Sequence, residues 1–245
     1  MSCGSRIATA ARARLQPERV LRWDGCVNVR DLGGLPLTGG GETAFGVVVR
    51  ADSIRSLTDA GWRELADYGV RKAVDLRSDN DAANDPPGEV PIEVVRIPVH
   101  SNDVPVVAEW PSMQEAYEGL LGHFQTEFAS AVTEIARSDE PVVVHCLVGR
   151  DRTGLVCGLM LKLAGVDLET IAADHALSDV YLEPWWQPWH DAAPDEETRQ
   201  RRMRVTTMPA TAMADVLADI DPRAYLSEGA ADPLDLDRLV VRLRG

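Results

Sequence analysis

Short, nearly continuous apolar runs punctuate this chain, and stretches of helical spacing separate them. The sharpest run is "PVVVH" (141–145), three β-branched residues between a proline and a histidine. That is the pattern of a central strand covered on both faces. "VRKAVDLRSDN" (70–80) predicts a second buried strand that leaves the sheet near Asp75, and "IEVVRIPVH" (92–100) predicts a third. Residues 21–52 alternate brief apolar runs with glycines, which predicts small antiparallel strands and a hairpin. Thr58 as N-cap, Trp62 and Leu65 at helical spacing and Gly69 as a stop define a helix. Residues 112–137 keep the helical period through Tyr117, Leu120, Leu121, Phe124, Phe128, Val132 and Ile135. "TGLVCGLMLKLAG" (153–165) predicts an apolar helix ending at Gly165, and Asp167 caps a further helix through Leu177. Residues 79–89, "DNDAANDPPGE", are acidic and proline-rich and read as a loop. After Tyr181, a tryptophan-rich segment precedes two or three C-terminal helices, with turns at "DIDP" and "SEGAADP". Strands alternating with helices give an α/β fold, with a central, mostly parallel sheet flanked by helices.

Composition narrows the classes without changing that picture. The 245 residues suit one domain, 1–245, with about 1–17 a candidate for disorder and 181–210 a candidate lid or insertion. A formal charge of -14 argues against general affinity for nucleic acid or an anionic membrane. Any phosphate site must therefore be a local positive pocket on an acidic body. The histidines show no metal-ligand spacing, no two cysteines form C-x-x-C, and no run is long enough to span a membrane. The N-terminal twenty residues contain arginines but no apolar core of a signal peptide. The expectation is a cytoplasmic protein with free thiols, no metal and no cofactor. The sequence carries no sign of its oligomeric state.

The chemistry concentrates in "VVVHCLVGRDRTG" (142–154). A cysteine closes the central strand, and a loop with Gly149, Arg150, Asp151 and Arg152 follows it. Such a strand-loop-helix turn can point its backbone N–H groups inward, with the positive end of the next helix behind them, and so hold a tetrahedral anion. Leu147, Val148, Gly149, Arg150, Thr153 and Gly154 are then the candidate substrate-binding residues. Arg152 can grip two anion oxygens with its planar fork. Cys146 would sit beneath the anion as nucleophile, and cysteines at helix N-termini or beside cations reach pKa values of roughly 3.5–7.5. Cys157, on the apolar helix, reads as a small buried hydrophobe. Thr153 fits two roles equally, a donor to sulfur or a helix cap. His145 reads as a satisfied core histidine.

"HCLVGRDRTG" matches the H-C-x-x-G-x-x-R-[ST]-G signature of the protein tyrosine phosphatase superfamily. With "NVRDLGG" (28–34), "RADSIRSLTDAG" (50–61), "AVDLRSDND" (73–81) and "AYLSEGAADPLDLDRL" (224–239), the chain resembles a bacterial branch of tyrosine and dual-specificity phosphatases. Members of that branch also act on phosphoinositides, and Arg150 stands where their loop usually carries lysine. The resemblance implies a tyrosine-phosphatase-like fold and a phosphorylated protein or small phosphomonoester as substrate.

Transfer of phosphate to a thiolate and hydrolysis of the phosphocysteine is a two-step covalent route, and the leaving group needs a proton from a positioned acid. Asp75, Asp79, Asp81, Asp103 and Asp151 are candidates. Strand position and the resemblance both favour Asp75, against a salt bridge with Arg77 as the plainer role. Asp151 lies so close to the anion that it can instead tune the loop or assist water. Asn28, Arg30 and Asp31 are candidates for the pocket rim, or for a turn holding Gly33 and Gly34. Trp185, Trp186 and Trp189 read as a cover over a second core or as a lid over an aromatic substrate. Two other classes compete: a rhodanese-like sulfurtransferase, and a catalytically weak phosphate-binding module.

Overall fold

The computed structural model describes residues 17–84, 90–100, 104, 109–206 and 211–245. The expected N-terminal disorder, apart from Pro17, and the candidate acid Asp103 fall outside those residues. Five strands form one sheet: β1 (Arg30–Asp31), β2 (Val48–Ala51), β3 (Lys72–Asp75), β4 (Glu93–Arg96) and β5 (Val142–His145). Their order across the sheet is β1-β2-β5-β3-β4. β1 pairs antiparallel with β2, and the other three pairings are parallel. Around the sheet lie α1 (Asp59–Asp67), α2 (Asp79–Asn84), α3 (Met113–His123), α4 (Gln125–Ala136), α5 (Asp151–Ala164), α6 (Leu168–Asp191), α7 (Glu196–Thr206), α8 (Ala212–Ala218), α9 (Pro222–Glu228) and α10 (Pro233–Arg244). The architecture is the α/β one expected, a mostly parallel sheet flanked by helices.

The apolar run of β5 is central because both of its faces are covered. Val142 and Val144 pack into the core built with α3, α4, α5 and the C-terminal helices, while Val143 joins Trp23, Ile54, Leu57, Leu65 and Val70 on the other face. All three valines are fully buried. Each such burial is worth about 1.5–3 kcal/mol.

Three local expectations change. The helical stretch 112–137 breaks at Phe124, where φ is -122° and ψ 31°. That break lets Tyr117, Leu120 and Leu121 on α3 and Phe128, Val132 and Ile135 on α4 enter the same core. Residues 79–84, read as loop, form α2 because Ser78 and Asp81 cap each other. The Asp81 amide donates to Ser78 Oγ at 3.0 Å, and the Ser78 amide donates to Asp81 Oδ2 at 3.1 Å. The helix capped by Asp167 runs past Leu177 to Asp191 and carries the tryptophans. Pro184 and Pro188 stand four apart on its exposed side, where their missing donors cost least.

Parallel pairing aligns the strand ends. Ala51 and Asp75 both lie level with His145. The residues that follow, Asp52 and Ser53, Leu76 and Arg77, and Cys146, therefore emerge together at the carboxyl edge of the sheet, where ligands of open parallel sheets bind. Among the described residues no helix is long and apolar enough to cross a membrane.

Candidate active site

Cys146 leaves β5 almost fully buried, and α5 begins five residues later at Asp151. Each carbonyl between them is taken by a donor outside the loop. His145 Nδ1 lies 3.2 Å from Cys146 O, the Ser53 amide donates to Leu147 O at 3.0 Å, and Asn28 Nδ2 donates to Val148 O at 2.9 Å. Arg50 donates to Gly149 O at 3.0 Å, and the Gly154 amide donates to Arg150 O at 2.7 Å. With the carbonyls turned outward, the amides are free for an anion. Among the described residues no backbone amide from Leu147 to Arg152 donates to a protein acceptor. Gly149 permits the turn on two counts: its φ is 68°, and an added Cβ would stand 2.3 Å from Ala51 O.

The donors behind the loop come largely from residues expected at a rim. Asn28, Arg30 and Asp31 are all buried. Arg30 donates to Asn28 Oδ1 at 2.7 Å, which turns the amide nitrogen toward Val148. Asp31 faces elsewhere and accepts from the Gly33 and Gly46 amides and from the Tyr68 hydroxyl. Beneath them, Arg19, Arg30 and Arg50 converge on Asp174 at 2.5, 3.1 and 2.8 Å. Burial alone would raise the Asp174 carboxyl, but Arg30, Arg19 and Arg50 hold it well below the ordinary carboxylate range. Three guanidinium groups against one carboxylate leave positive charge in excess directly behind the loop. The sequence reading named Arg30 but missed Arg50 and Asp174. The signal was present in Arg50, a charged residue inside a β-branched run that had to be buried.

Arg152 lies at the far end of the loop with its side chain 15% exposed, and donates to Asp81 Oδ2 at 2.7 Å. Asp81, a candidate acid by sequence, is thus the group that orients the arginine. Burial raises its carboxyl, but Arg152 outweighs burial and holds it low. Asp75 is equally committed. Its carboxylate accepts from the Arg77 amide at 3.0 Å and from Arg77 Nη2 at 2.9 Å. Burial pushes Asp75 up, yet the Arg77 hydrogen bonds and the nearby His145 bring it below its ordinary value. The expected proton donor is thus paired with a buried arginine in this structure.

Arg150 does not face the cradle. Its Nε lies 2.7 Å from Asp179 on α6, its Nη1 donates to Val205 O of α7 at 2.9 Å, and its guanidinium stands 5.9 Å from the Trp186 ring. The side chain instead fastens the α6–α7 hairpin to the loop, and this explains part of the tryptophan cluster. Trp185 and Trp189 remain 42% and 37% exposed. Leu147 points outward at 43% exposure, Val148 is half-buried, and Thr153 is buried, its hydroxyl without a hydrogen-bond partner among the described residues. Asp151 accepts from the Tyr117 hydroxyl at 2.7 Å. Gly154 lies inside α5, packed against the His175 ring. Among the described residues no group of three or more His, Cys, Asp or Glu side chains is placed to hold a metal ion.

A tyrosine-protein phosphatase of Nostoc commune is 35% identical to this chain over 144 residues, 55% of this chain and 49% of that protein. The triple specificity protein phosphatase PtpB of Mycobacterium tuberculosis is 26% identical over 169 residues, 55% of this chain and 61% of PtpB. The matched region thus spans about half to three fifths of these relatives. A crystal structure of P. aeruginosa TpbA in complex with pTyr aligns with 71% of this chain and 87% of that one, at 19% identity and a TM-score of 0.31. The model of the tyrosine phosphatase family matches residues 21–244, from the donors behind the cradle to the last helix. By that match the chain belongs to the tyrosine phosphatase family.

Proposed function

We propose that this protein hydrolyses phosphotyrosine-type phosphomonoesters through a phosphocysteine on Cys146. The observation that carries the reading is the polarity of the loop: five carbonyls engaged from outside, six amides without a protein acceptor among the described residues, and Arg152 oriented at the end. That arrangement presents donors to a tetrahedral dianion at no reorganisation cost. In the first step the Cys146 thiolate attacks phosphorus, and the ester P–O bond breaks with its electron pair going to the leaving oxygen, which takes up a proton; Asp75, Asp79, Asp81 and Asp151 are the candidate donors among the described residues. In the second, a water oxygen attacks phosphorus, the P–S pair returns to sulfur, and inorganic phosphate departs. Arg152 and the amides carry the charge of the equatorial oxygens in both steps. The route assigns no task to a divalent ion, and full activity in excess EDTA is expected. The name of the relative PtpB supports a wider substrate range, so phosphoserine and phosphothreonine peptides and phosphoinositides belong in the substrate panel beside phosphotyrosine.

Cys146→Ser tests the covalent route. Turnover of para-nitrophenyl phosphate should fall to trace while vanadate still binds, because the cradle survives and the nucleophile does not. Substantial phosphatase activity in pure Cys146→Ser protein would sink the mechanism. The absence of any turnover by the unaltered enzyme would leave a phosphate-binding module instead.

A further inference from the structure

Tyr117 joins the loop to two elements that the phosphatase signature does not include. Its fully buried ring stands edge-on to His175 of α6, with centroids 5.8 Å apart and planes at 89°. Its hydroxyl lies 2.7 Å from Asp151 Oδ1 and 3.1 Å from His175 Nε2. A phenol has one proton to give, and an ionised carboxylate can only accept it. His175 Nε2 must therefore carry a hydrogen and donate to the Tyr117 oxygen. This leaves His175 Nδ1 bare, and it is buried with no hydrogen-bond partner. The same atom lies 2.4 Å from where a Cβ on Gly154 would stand, so the last glycine of the signature makes room for this ring. Burial, then Arg50, Arg150 and Arg30, hold the imidazole well below its ordinary pKa and hence neutral. Burial and then Asp151 raise the phenol, so Tyr117 keeps its proton. Donation runs one way, from His175 to Tyr117 to Asp151.

We infer that Tyr117 and His175 are positioning residues that aim the Asp151 carboxylate and keep it as the base for hydrolysis of the phosphocysteine. The inference rests on the phosphatase reading above. Asp151 is the first residue of α5 and adjoins Arg152. Tyr117 occupies its Oδ1, while Oδ2 has no hydrogen-bond partner among the described residues. Arg150 Nη1 lies 3.5 Å from the same Oδ1. In the second step Oδ2 takes a proton from water as the water oxygen bonds to phosphorus. The P–S bond breaks with its electron pair on Sγ, phosphate leaves, and Asp151 later returns the proton to solvent.

The test is Tyr117→Phe, which keeps the ring and removes the hydroxyl. In stopped-flow assays with para-nitrophenyl phosphate, kcat should fall about tenfold, the scale of a lost hydrogen bond to a charged group. An initial burst of nitrophenol near one equivalent per enzyme should appear. kcat/KM, which reports only phosphoryl transfer to sulfur, should stay within about twofold. Equal losses in kcat and kcat/KM would overturn the assignment. His175→Gln and His175→Leu give an independent reading should Tyr117→Phe fail to fold. The amide of Gln can donate where Nε2 does and should recover most of kcat, whereas Leu should reproduce the burst. Identical behaviour of the two would also refute the relay. If the unaltered enzyme forms no phosphoenzyme that can be trapped by rapid alkaline denaturation and no product, the phosphatase reading itself fails, and this inference with it.

Discussion

Asp75 has two oxygens, and Arg77 claims both. Asp75→Asn should therefore act on the fold before it acts on proton transfer. It leaves Arg77 buried beside a neutral amide, and breaking such a pair typically costs about 3–5 kcal/mol. Activity should fall by a similar factor for aryl phosphates of every leaving-group pKa. A Brønsted series that steepens in the mutant would assign the acid role to Asp75. The pH dependence has a definite sign. Because Arg77 and His145 lower the folded pKa below the unfolded value of 3.8, the contribution of Asp75 is complete above that pH. It is lost as pH falls through the folded pKa. At this scale the sequence was legible where spacing sets placement: Cys146 and Arg152 bound the same loop from its two ends. Arg150 was not, because its position in the signature says nothing of the Asp179 carboxylate and Val205 carbonyl that draw it away. Tyr117 was read only as an apolar face of α3, and its hydroxyl carried the information.

The loop is an element whose conformation is set from outside. Asn28→Asp keeps the shape of the side chain and its contact with Arg30, yet replaces the donor to Val148 O with an acceptor. The Val148 carbonyl should then turn inward and displace an amide from the cradle. Vanadate affinity should weaken by about tenfold or more, read by inhibition of para-nitrophenyl phosphate turnover. Unchanged inhibition would mean that Val148 O is held by other means. Legibility at this scale followed the hydrophobic pattern. The "VVV" run of β5 and the Gly165 stop of α5 could be placed from sequence. The Ser78–Asp81 capping pair was also there to read, and the prolines downstream hid it. The break at Phe124 had no such signal, since the apolar spacing continues through it and only packing of both helices on one core requires the bend.

Across the whole molecule, charge is distributed in opposite senses. A chain with a formal charge of -14 encloses three arginines around one aspartate directly beneath its anion cradle. Burial and then the charge of Arg50 bring Arg30 down to about 10, a mark of the repulsion held in that cluster. Asp174 is what makes the cluster tolerable. Asp174→Asn should lower stability by about 3–5 kcal/mol in urea unfolding, together with loss of phosphate binding. A change under about 1 kcal/mol, typical of surface pairs, would show that the cluster is hydrated instead. The four groups that grip the loop from behind, at positions 28, 50, 53 and 145, are spread over nearly half the chain. A partly folded chain would have no such cradle, and on the proposed reading only the finished fold would bind phosphate. Inorganic phosphate at a hundred times its dissociation constant would then deepen the native well by about 2.7 kcal/mol. The product of the proposed reaction would act as a folding ligand, protecting newly made chains from proteolysis while it inhibits mature ones.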